Sequence, residues 1–391
     1  MKLIYNNFDG LDISFQGAFP MPLLNQLAEA KDQALLENNS VYREIGANKT
    51  PIMVAETGSK GGYRYRFDTG KEGETWFVKH SNYLDKWNIR VSVSSLSLAL
   101  YGYEGVKERL KSRLKEWGAK GEPRIDQATN KRLNAPLERI SRLDYCFDFI
   151  TDSAFEPIPS RFVAHKNVKK HVYGNGGSIE KYHSLNGEKV NTVRLGEMPG
   201  RQVVLYNKTK EIIASGKKYW WDLWGVDPKP FKGGFKAIWR VEVRAGKDEL
   251  NKWDLRRFKD FEEKAGDIIA ALLKAMRYTN PLKDDLNRSR WPDHPIWQIS
   301  LKTAFKALEP YSSNAIREDV LRGLKADAIE GYKERTIGNL IGLNTLKGHD
   351  ISEIADTLFS IENSIRELSI SEPDQLYRKV QKLEERARFL E

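Results

Sequence analysis

The sequence predicts an α+β fold in which two related sheet-and-helix halves precede a helical C-terminal domain. Short segments with alternating apolar and polar residues indicate antiparallel strands, and the same order of strands and helix occurs twice. Beyond Trp291 aromatic residues become less frequent and apolar residues recur every three or four positions, which is typical of helices. We therefore predict a first half over residues 1–125, a second half over 126–290 and a helical domain over 291–391.

The composition predicts a large globular protein. The 391 residues are 40% hydrophobic and 11% aromatic, enough for a large core and more than one domain. No apolar run approaches the roughly 18 residues of a membrane span, and the N-terminal segment lacks a signal-peptide pattern. These features predict a cytoplasmic protein that does not bind a membrane. The single cysteine, Cys146, excludes an internal disulfide framework and any cysteine-based zinc site.

Positive charge is concentrated in the first part of the chain. The formal net charge is +10, and residues 291–391 contribute −3 from 14 Lys and Arg against 17 Asp and Glu, so residues 1–290 carry +13. A basic, aromatic-rich region is the electrostatic pattern of a nucleic-acid-binding protein. The alternative interpretation is a solvated basic surface without such a partner.

The first half is predicted to begin with a strand, because apolar and polar residues alternate along GLDISFQG. Pro22 suits a first helical turn, and the apolar spacing after it predicts a helix that reaches about Glu37. A hairpin that turns at Gly61 and Gly62, two further strands and a basic helix follow. Their sequences are PIMVAETGSKGGYRYRFDTG, TWFVKH, NIRVSVSSLSL and GVKERLKSRLKEWG.

The second half repeats this order. RLDYCFDF predicts a strand with an apolar face of Leu143, Tyr145, Phe147 and Phe149 and a polar face of Arg142, Asp144, Cys146 and Asp148. A hairpin, NTVRLGEMPGRQVVLYNK, is predicted to turn at Pro199 and Gly200, and AIWRVEVRAG predicts another strand. A long amphipathic helix is predicted from about Lys247 to Arg277. If the halves are copies, Asp12 should superpose on Asp144 and Ser92 on Glu242.

The C-terminal domain is predicted to contain two amphipathic helices. Apolar residues recur at helical spacing from Ile354 to Leu368 and again from Leu376 to Leu390, after a helix start at Ser371. Such apolar stripes more often pack within one chain than form an oligomer seam, and sustained heptads are too few here to favour the seam. The alternative is a homodimer or another protein partner.

Three carboxylates could converge on the polar sheet face of the second half. Asp144 and Asp148 share one strand face, and Glu242 interrupts the strand WRVEVR. Carboxylate oxygens are ligands that Mg²⁺ and Mn²⁺ prefer, so this set predicts a site for Mg²⁺ or Mn²⁺. The alternative is that Asp144 pairs with Arg142, and Glu242 with an arginine of its own strand, as ordinary ion pairs.

Tyr206 and Lys208 are two residues apart on the predicted strand RQVVLYNK, so they should share a face. A phenol with a pKa near 10 is a poor nucleophile until a cation stabilises its phenolate or the transition state. Lys208 and a divalent cation could do so, which makes Tyr206 the candidate nucleophile. The alternative is a tyrosine of the core, and the nearest rival nucleophiles are Tyr173 and Tyr182.

These strands resemble those of the replication initiation factor (Rep_trans) family of rolling-circle replication initiators and related relaxases. The resemblance covers roughly residues 5 to 280 and consists of RLDYCFDF, TVRLGEMPGRQVVLYNK and WRVEVR in this order. It implies a metal-dependent DNA-nicking and strand-transferase enzyme that forms a 5′-phosphotyrosine intermediate. One departure is the absence of a tyrosine from the strand before the hairpin turn.

The resemblance also implies roles for individual residues and partners. Tyr206 would be the nucleophile, Asp144 and Glu242 would bind the metal, with Asp148 as a weaker third position, and Lys208 would give electrostatic support. Residues 126–290 would be the catalytic nicking half, and residues 1–125 a non-catalytic half that binds DNA. The expected partners are double- and single-stranded origin DNA and a helicase or polymerase of the host.

Other functional classes fit the sequence less well. The six histidines include no His-hydrophobe-His pair, although His171 and His183 could still be ligands. A tyrosine recombinase would place its tyrosine in a largely helical domain, whereas Tyr206 lies in sequence with a strand pattern. The sequence contains no P-loop, so an ATP-driven motor is excluded. The remaining alternative is a non-catalytic DNA-binding protein on the same scaffold.

Overall fold

The computed structural model of the protein describes residues 1–125, 130–174, 177–178, 189–306 and 317–387. The chain divides into two compact units. The first contains residues 1–214 and 224–315, and the second contains residues 215–223 and 316–391. The predicted domain boundaries after residues 125 and 290 stay predictions.

Runs of strands and runs of helices follow one another through the described residues, and the α+β class is confirmed. The strands are β1 (Lys2–Gln16), β2 (Val41–Ile45), β3 (Thr50–Val54), β4 (Tyr65–Asp68), β5 (Glu74–Val78), β6 (Ile89–Val93), β7 (Arg124–Ile125), β8 (Arg132–Leu133), β9 (Leu137–Asp152), β10 (Phe162–Ala164), β11 (Lys170–Gly174), β12 (Gly177–Ser178), β13 (Thr192–Glu197), β14 (Arg201–Asn207), β15 (Lys236–Gly246) and β16 (Met276–Tyr278). The helices are α1 (Met21–Glu37), α2 (Ser95–Glu116), α3 (Lys208–Ser215), α4 (Tyr219–Trp224), α5 (Lys229–Lys232), α6 (Lys247–Lys252), α7 (Phe258–Ala275), α8 (Pro295–Lys306), α9 (Arg317–Leu346), α10 (Ile354–Ser371) and α11 (Pro373–Ala387).

A single antiparallel sheet carries both halves, in the order β12-β11-β13-β14-β15-β9-β1-β6-β5-β4-β3-β2. The first strands of the two halves, β1 and β9, pair at its centre, and the later strands of each half extend outwards. The register at the centre is symmetric, because Leu11 lies opposite Leu143, Asp12 opposite Arg142 and Gly10 opposite Asp144. Asp12 and Asp144 therefore occupy equivalent positions in two related halves.

The second expected equivalence, Ser92 with Glu242, is wrong by two residues. Asp12 lies opposite Ser92, whereas Asp144 lies opposite Arg244, so Ser92 corresponds to Arg244 and Arg90 corresponds to Glu242. A shift of two residues keeps every side chain on the same sheet face. For that reason the similar patterns of NIRVSV and IWRVEV could not reveal it.

The apolar face of the sheet forms the core with α1, α2 and α7. The two longer helices meet on it, where the ring of Tyr103 stacks on that of Phe261 with 4.1 Å between their centroids. The ring of Phe261 also contacts the sheet, since its centroid lies 4.9 Å from that of Phe8 on β1. The opposite face of the sheet is left to polar residues, as the alternation along the strands predicts.

Two predicted elements of the first unit were wrong in extent. SSLSL does not continue β6 but begins α2, because the side chain of Ser94 accepts a hydrogen bond from the backbone N–H of Ser97. The predicted helix from Lys247 to Arg277 is two helices, α6 and α7. The carboxylate of Asp260 accepts hydrogen bonds from the backbone N–H groups of Arg256 and Arg257, and thereby fixes a new helix start.

In the second unit α10 and α11 match the two predicted C-terminal helices, and α11 begins at Pro373 as expected from the sequence around Ser371. Helix α9 precedes them and contacts α10. Among the helices of the described residues, none combines the length and apolar composition needed to cross a lipid bilayer.

Candidate active site

The predicted site residues of β9, β14 and β15 lie on one face of the sheet. RLDYCFDF and WRVEVR are neighbouring strands, with Arg240 opposite Asp148 and Arg244 opposite Asp144. On the other side of β15, Tyr206 also lies opposite Arg240. The period-two alternation of the three strands therefore places Tyr206 on the same face as all three predicted carboxylates.

Asp144 is held by Arg142, two residues earlier on the same strand. The guanidinium makes two hydrogen bonds to this carboxylate, of 3.0 Å from Nε and 2.5 Å from Nη2. Burial nevertheless raises the pKa of Asp144 to about 7; the charge of Glu242 adds to the effect, and Arg142 opposes it. Negative charge is therefore unfavourable at this position, even with the arginine in place.

Glu242 is paired with Arg244 on its own strand. Nε of Arg244 lies 2.7 Å from Oε1 of Glu242, and its Nη1 donates to Gln202 on β14 at 2.9 Å. Two of the three predicted metal ligands thus take part in the ion pairs that were the alternative interpretation.

Asp148 belongs to a third, fully buried ion pair. Arg240, whose side chain is 0% exposed, donates from Nε and Nη2 to the two carboxylate oxygens at 2.6 and 2.7 Å. The indole N–H of Trp224 also donates to Asp148, at 2.9 Å. Burial without a counter-charge would be costly for either group, so this pair is a fixed part of the fold.

Asp9 is a member of this network that the sequence did not single out. Nη1 of Arg240 lies 2.5 Å from its Oδ1, and the positive charge holds the pKa of Asp9 below its usual value although burial opposes this. The register of β1 shifts between Phe8 and Gly10, which gives Asp9 no direct partner on β9. A glycine directly after an aspartate within a strand is the signal that could have suggested this bulge.

Lys208 is not on the strand with Tyr206. Strand β14 ends at Asn207, and Lys208 is the first residue of α3. Its ammonium group is nevertheless near the tyrosine, 5.8 Å from the ring centroid, and forms an ion pair of 2.6 Å with Glu211. Burial lowers the pKa of Lys208, and the nearby charge of Arg240 lowers it further.

Tyr206 is partly buried at the end of β14. Burial raises the pKa of its phenol well above 10, and the charge of Glu242 contributes in the same direction, while Arg240 opposes them. The phenol is therefore protonated at neutral pH in this state of the site. It would become a nucleophile only if additional positive charge, such as a divalent cation, entered the site.

Of the alternative tyrosines and histidines, the structure describes Tyr173 and His171. Tyr173 is on β11 and lies opposite Thr192 on β13, and Thr192 lies opposite Tyr206 on β14. Tyr173 is therefore two strands from the candidate nucleophile. Its ring is covered by Arg194, with Cζ 5.4 Å from the centroid. His171 lies 3.5 Å from Glu197 at the far end of that strand pair. Tyr182 and His183 lie outside the described residues.

A three-carboxylate metal site is not preformed. In the part of the chain that the structure describes, no three His, Cys, Asp or Glu side chains are grouped so that they could hold a metal ion. Asp148 does not fit the predicted ligand set, because both its oxygens are bound by the buried Arg240. Asp144 and Glu242 fit better, since their arginine partners are partly exposed, 37% for Arg142 and 26% for Arg244.

Comparisons with known proteins give no family assignment. No family model matches the chain, and no curated protein matches it in sequence. Among solved structures it is similar to the rolling-circle replication initiator protein from Geobacillus stearothermophilus, with a TM-score of 0.38 and 14% identity over 76% of this chain and 96% of that one. It is also similar to the TBP of Methanococcus jannaschii, with a TM-score of 0.25 and 8% identity over 68% and 97% of the two chains. Similarity of this extent supports no conclusion about fold or function.

Proposed function

We propose that the protein is a metal-dependent DNA-nicking and strand-transferase enzyme that starts rolling-circle replication or conjugative transfer. The observation that carries the proposal is the position of Tyr206, which shares a sheet face with Asp144 and Glu242 and lies under the ammonium group of Lys208. The resemblance of these strands to those of the replication initiation factor family supports it.

In the proposed reaction, the phenol oxygen of Tyr206 attacks a phosphodiester of one DNA strand. A bond forms between this oxygen and phosphorus, and the bond from phosphorus to the 3′ oxygen breaks. The proton lost by the phenol is balanced by the proton that the 3′ oxygen gains. The products are a 5′-phosphotyrosine and a free 3′-OH, which a host polymerase could extend while a helicase separates the strands.

Asp144 and Glu242 are the residues that would hold Mg²⁺ or Mn²⁺. When bound, the cation would neutralise charge that develops on the phosphate. Arg142 and Arg244 are partly exposed, and to free both carboxylates for the cation they would turn into solvent. Two carboxylates with water and phosphate oxygens are an ordinary ligand set for Mg²⁺. We assign Asp148 a different role, as the fixed partner of Arg240.

The second candidate function is that of a non-catalytic DNA-binding protein. It is favoured by the ion pairs that occupy all three carboxylates and by the raised pKa of Tyr206. The two functions make opposite predictions about covalent attachment to DNA.

Covalent capture tests the proposal. The full chain is incubated with Mn²⁺ or Mg²⁺ and a library of single-stranded DNA of random sequence that carries a fluorophore at its 3′ end. The downstream fragment, which keeps the label, should remain attached to the protein in denaturing gels, and mass spectrometry should find the phosphodiester on Tyr206. Attachment to another tyrosine contradicts the assignment, and no adduct with either metal favours the non-catalytic function.

A further inference from the structure

The first half of the sheet has an open basic pocket. It has a volume of about 590 Å³ and is lined by Arg64, Lys79, His80, Lys86, Trp87 and Asn88. Arg64, His80 and Lys86 are exposed, and Lys79 and Trp87 are half-buried. The only acid paired with these cations in the described ion pairs is Asp85, 2.8 Å from Lys86. We call these six residues the N-terminal basic pocket.

This pocket includes the position in the first half that Tyr206 occupies in the second. Ser92 corresponds to Arg244, and Thr75 lies opposite Ser92 as Gln202 lies opposite Arg244. The strand pair β5–β6 therefore corresponds residue by residue to the pair β14–β15. Four residues further along the outer strand of each pair, Lys79, which directly follows β5, takes the place of Tyr206 on β14. The backbone N–H of Lys79 donates to the carbonyl of Asn88 at 2.9 Å, which continues the ladder at the position equivalent to Arg240.

The same correspondence replaces one acidic side chain of the site by a basic one. Where the second half has Glu242, the first half has Arg90, whose guanidinium lies 4.1 Å from the ring centroid of Phe77. The ring of Tyr63 lies 5.0 Å from Arg90 and 5.1 Å from the ammonium group of Lys79. Cations interleaved with aromatic rings are the arrangement that proteins use to bind a single strand, with phosphates on the cations and bases on the rings.

We propose that the N-terminal basic pocket binds single-stranded DNA without cleaving it. Arg64 and Lys79 contact backbone phosphates, and Trp87 offers its ring to a base. The two halves of the sheet would then hold one substrate through equivalent positions, with chemistry confined to the second half. The proposal shares with the proposed function only the premise that the ligand is DNA, and it does not require that Tyr206 react.

The test measures binding on a Tyr206→Phe background, so that cleavage cannot contribute. Fluorescence anisotropy with a labelled thymidine oligonucleotide compares Arg64→Ala/Lys79→Ala with Lys111→Ala/Lys115→Ala. The control pair removes the same charge from exposed positions on α2, which packs on the opposite face. Losing two phosphate contacts should weaken binding by roughly tenfold and reduce the slope of log affinity against log salt by about 1.4. Equal affinities and slopes for the two double variants would overturn the proposal.

A second measurement does not depend on the folding of variants. The unmodified chain is photo-cross-linked to an oligonucleotide that contains 5-iododeoxyuridine, and the attached peptide is identified by mass spectrometry. Cross-links at Trp87 or Tyr63 are expected, whereas cross-links confined to the second half of the sheet would overturn the proposal. If the chain cross-links at the N-terminal basic pocket but forms no covalent adduct on Tyr206, this inference is supported and the proposed function is contradicted.

Discussion

Asp9 and Arg240 form an ion pair across an intervening strand. Oδ1 of Asp9 on β1 lies 2.5 Å from Nη1 of Arg240 on β15, although β9 runs between these two strands. The bulge beside Asp9 and the length of the arginine side chain allow the contact. Because Arg240 also binds Asp148, one buried cation links the first strands of the two halves to the strand that carries Glu242.

Replacing Arg240 should therefore destabilise the sheet. Arg240→Gln leaves Asp148 buried without a counter-charge and removes the arginine that pairs with the partly buried Asp9, and we expect it to lower the free energy of unfolding by about 3 to 5 kcal/mol. The measurement is urea unfolding followed by near-UV circular dichroism. Arg256→Gln is the control, because its pair with Asp254 is exposed and should contribute less than about 1 kcal/mol. Similar losses for both variants would show that the buried network contributes little.

The pH dependence of stability should report on Asp144. Its pKa is raised from an ordinary 3.8 to about 7 in the folded protein, so the fold binds this proton more tightly than the unfolded chain does. The resulting stabilisation is fully present below about pH 4 and is lost as the pH rises through 7. Asp144→Asn cannot lose a proton, so its unfolding free energy should not share this decrease. Parallel curves for wild type and variant between pH 4 and 8 would contradict the prediction.

Metal binding should separate Glu242 from Asp148. We expect Glu242→Gln to weaken Mn²⁺ binding by more than roughly 100-fold, because the substitution removes a direct ligand. Loss of a residue that only supports a ligand weakens metal binding by at most roughly 100-fold. Asp148→Asn should weaken it by no more than roughly tenfold while lowering stability, since this carboxylate binds Arg240. Electron paramagnetic resonance of free Mn²⁺ measures both affinities. A larger effect at Asp148 would reverse the assignment.

Tyr206→Phe should remove the chemistry and nothing else. Only the phenol oxygen is lost, so we expect nicking to fall by at least roughly 10⁴-fold while DNA affinity is unchanged. Tyr173→Phe is the matched control on the same sheet face and should nick and form the adduct like the wild type. Nicking and adduct formation by the two variants are measured on a labelled single strand of DNA. Residual adduct in the Tyr206 variant would identify a different nucleophile.

Much of the fold could be predicted because strand alternation is a local property. The period of two in RLDYCFDF and WRVEVR fixed which side chains share a face, and the structure places Asp144, Asp148 and Glu242 together on the polar one. The repeated order of elements likewise predicted two related halves, which the register around Leu11 and Leu143 confirms. Neither inference needed knowledge of distant contacts.

The partners of the carboxylates depend on contacts that are distant in sequence. Arg142, Arg240 and Arg244 share the polar face of these strands with the carboxylates. Strand register together with burial decided that Asp148 pairs with Arg240 and Glu242 with Arg244. Asp9 belongs to the network because a bulge in β1 lets it reach Arg240, which lies two strands away on β15. The sequence by itself determined which face of the sheet is polar, because side-chain alternation follows from backbone geometry. Only the tertiary structure decided which charges on that face neutralise one another, because burial and register are properties of the assembled sheet.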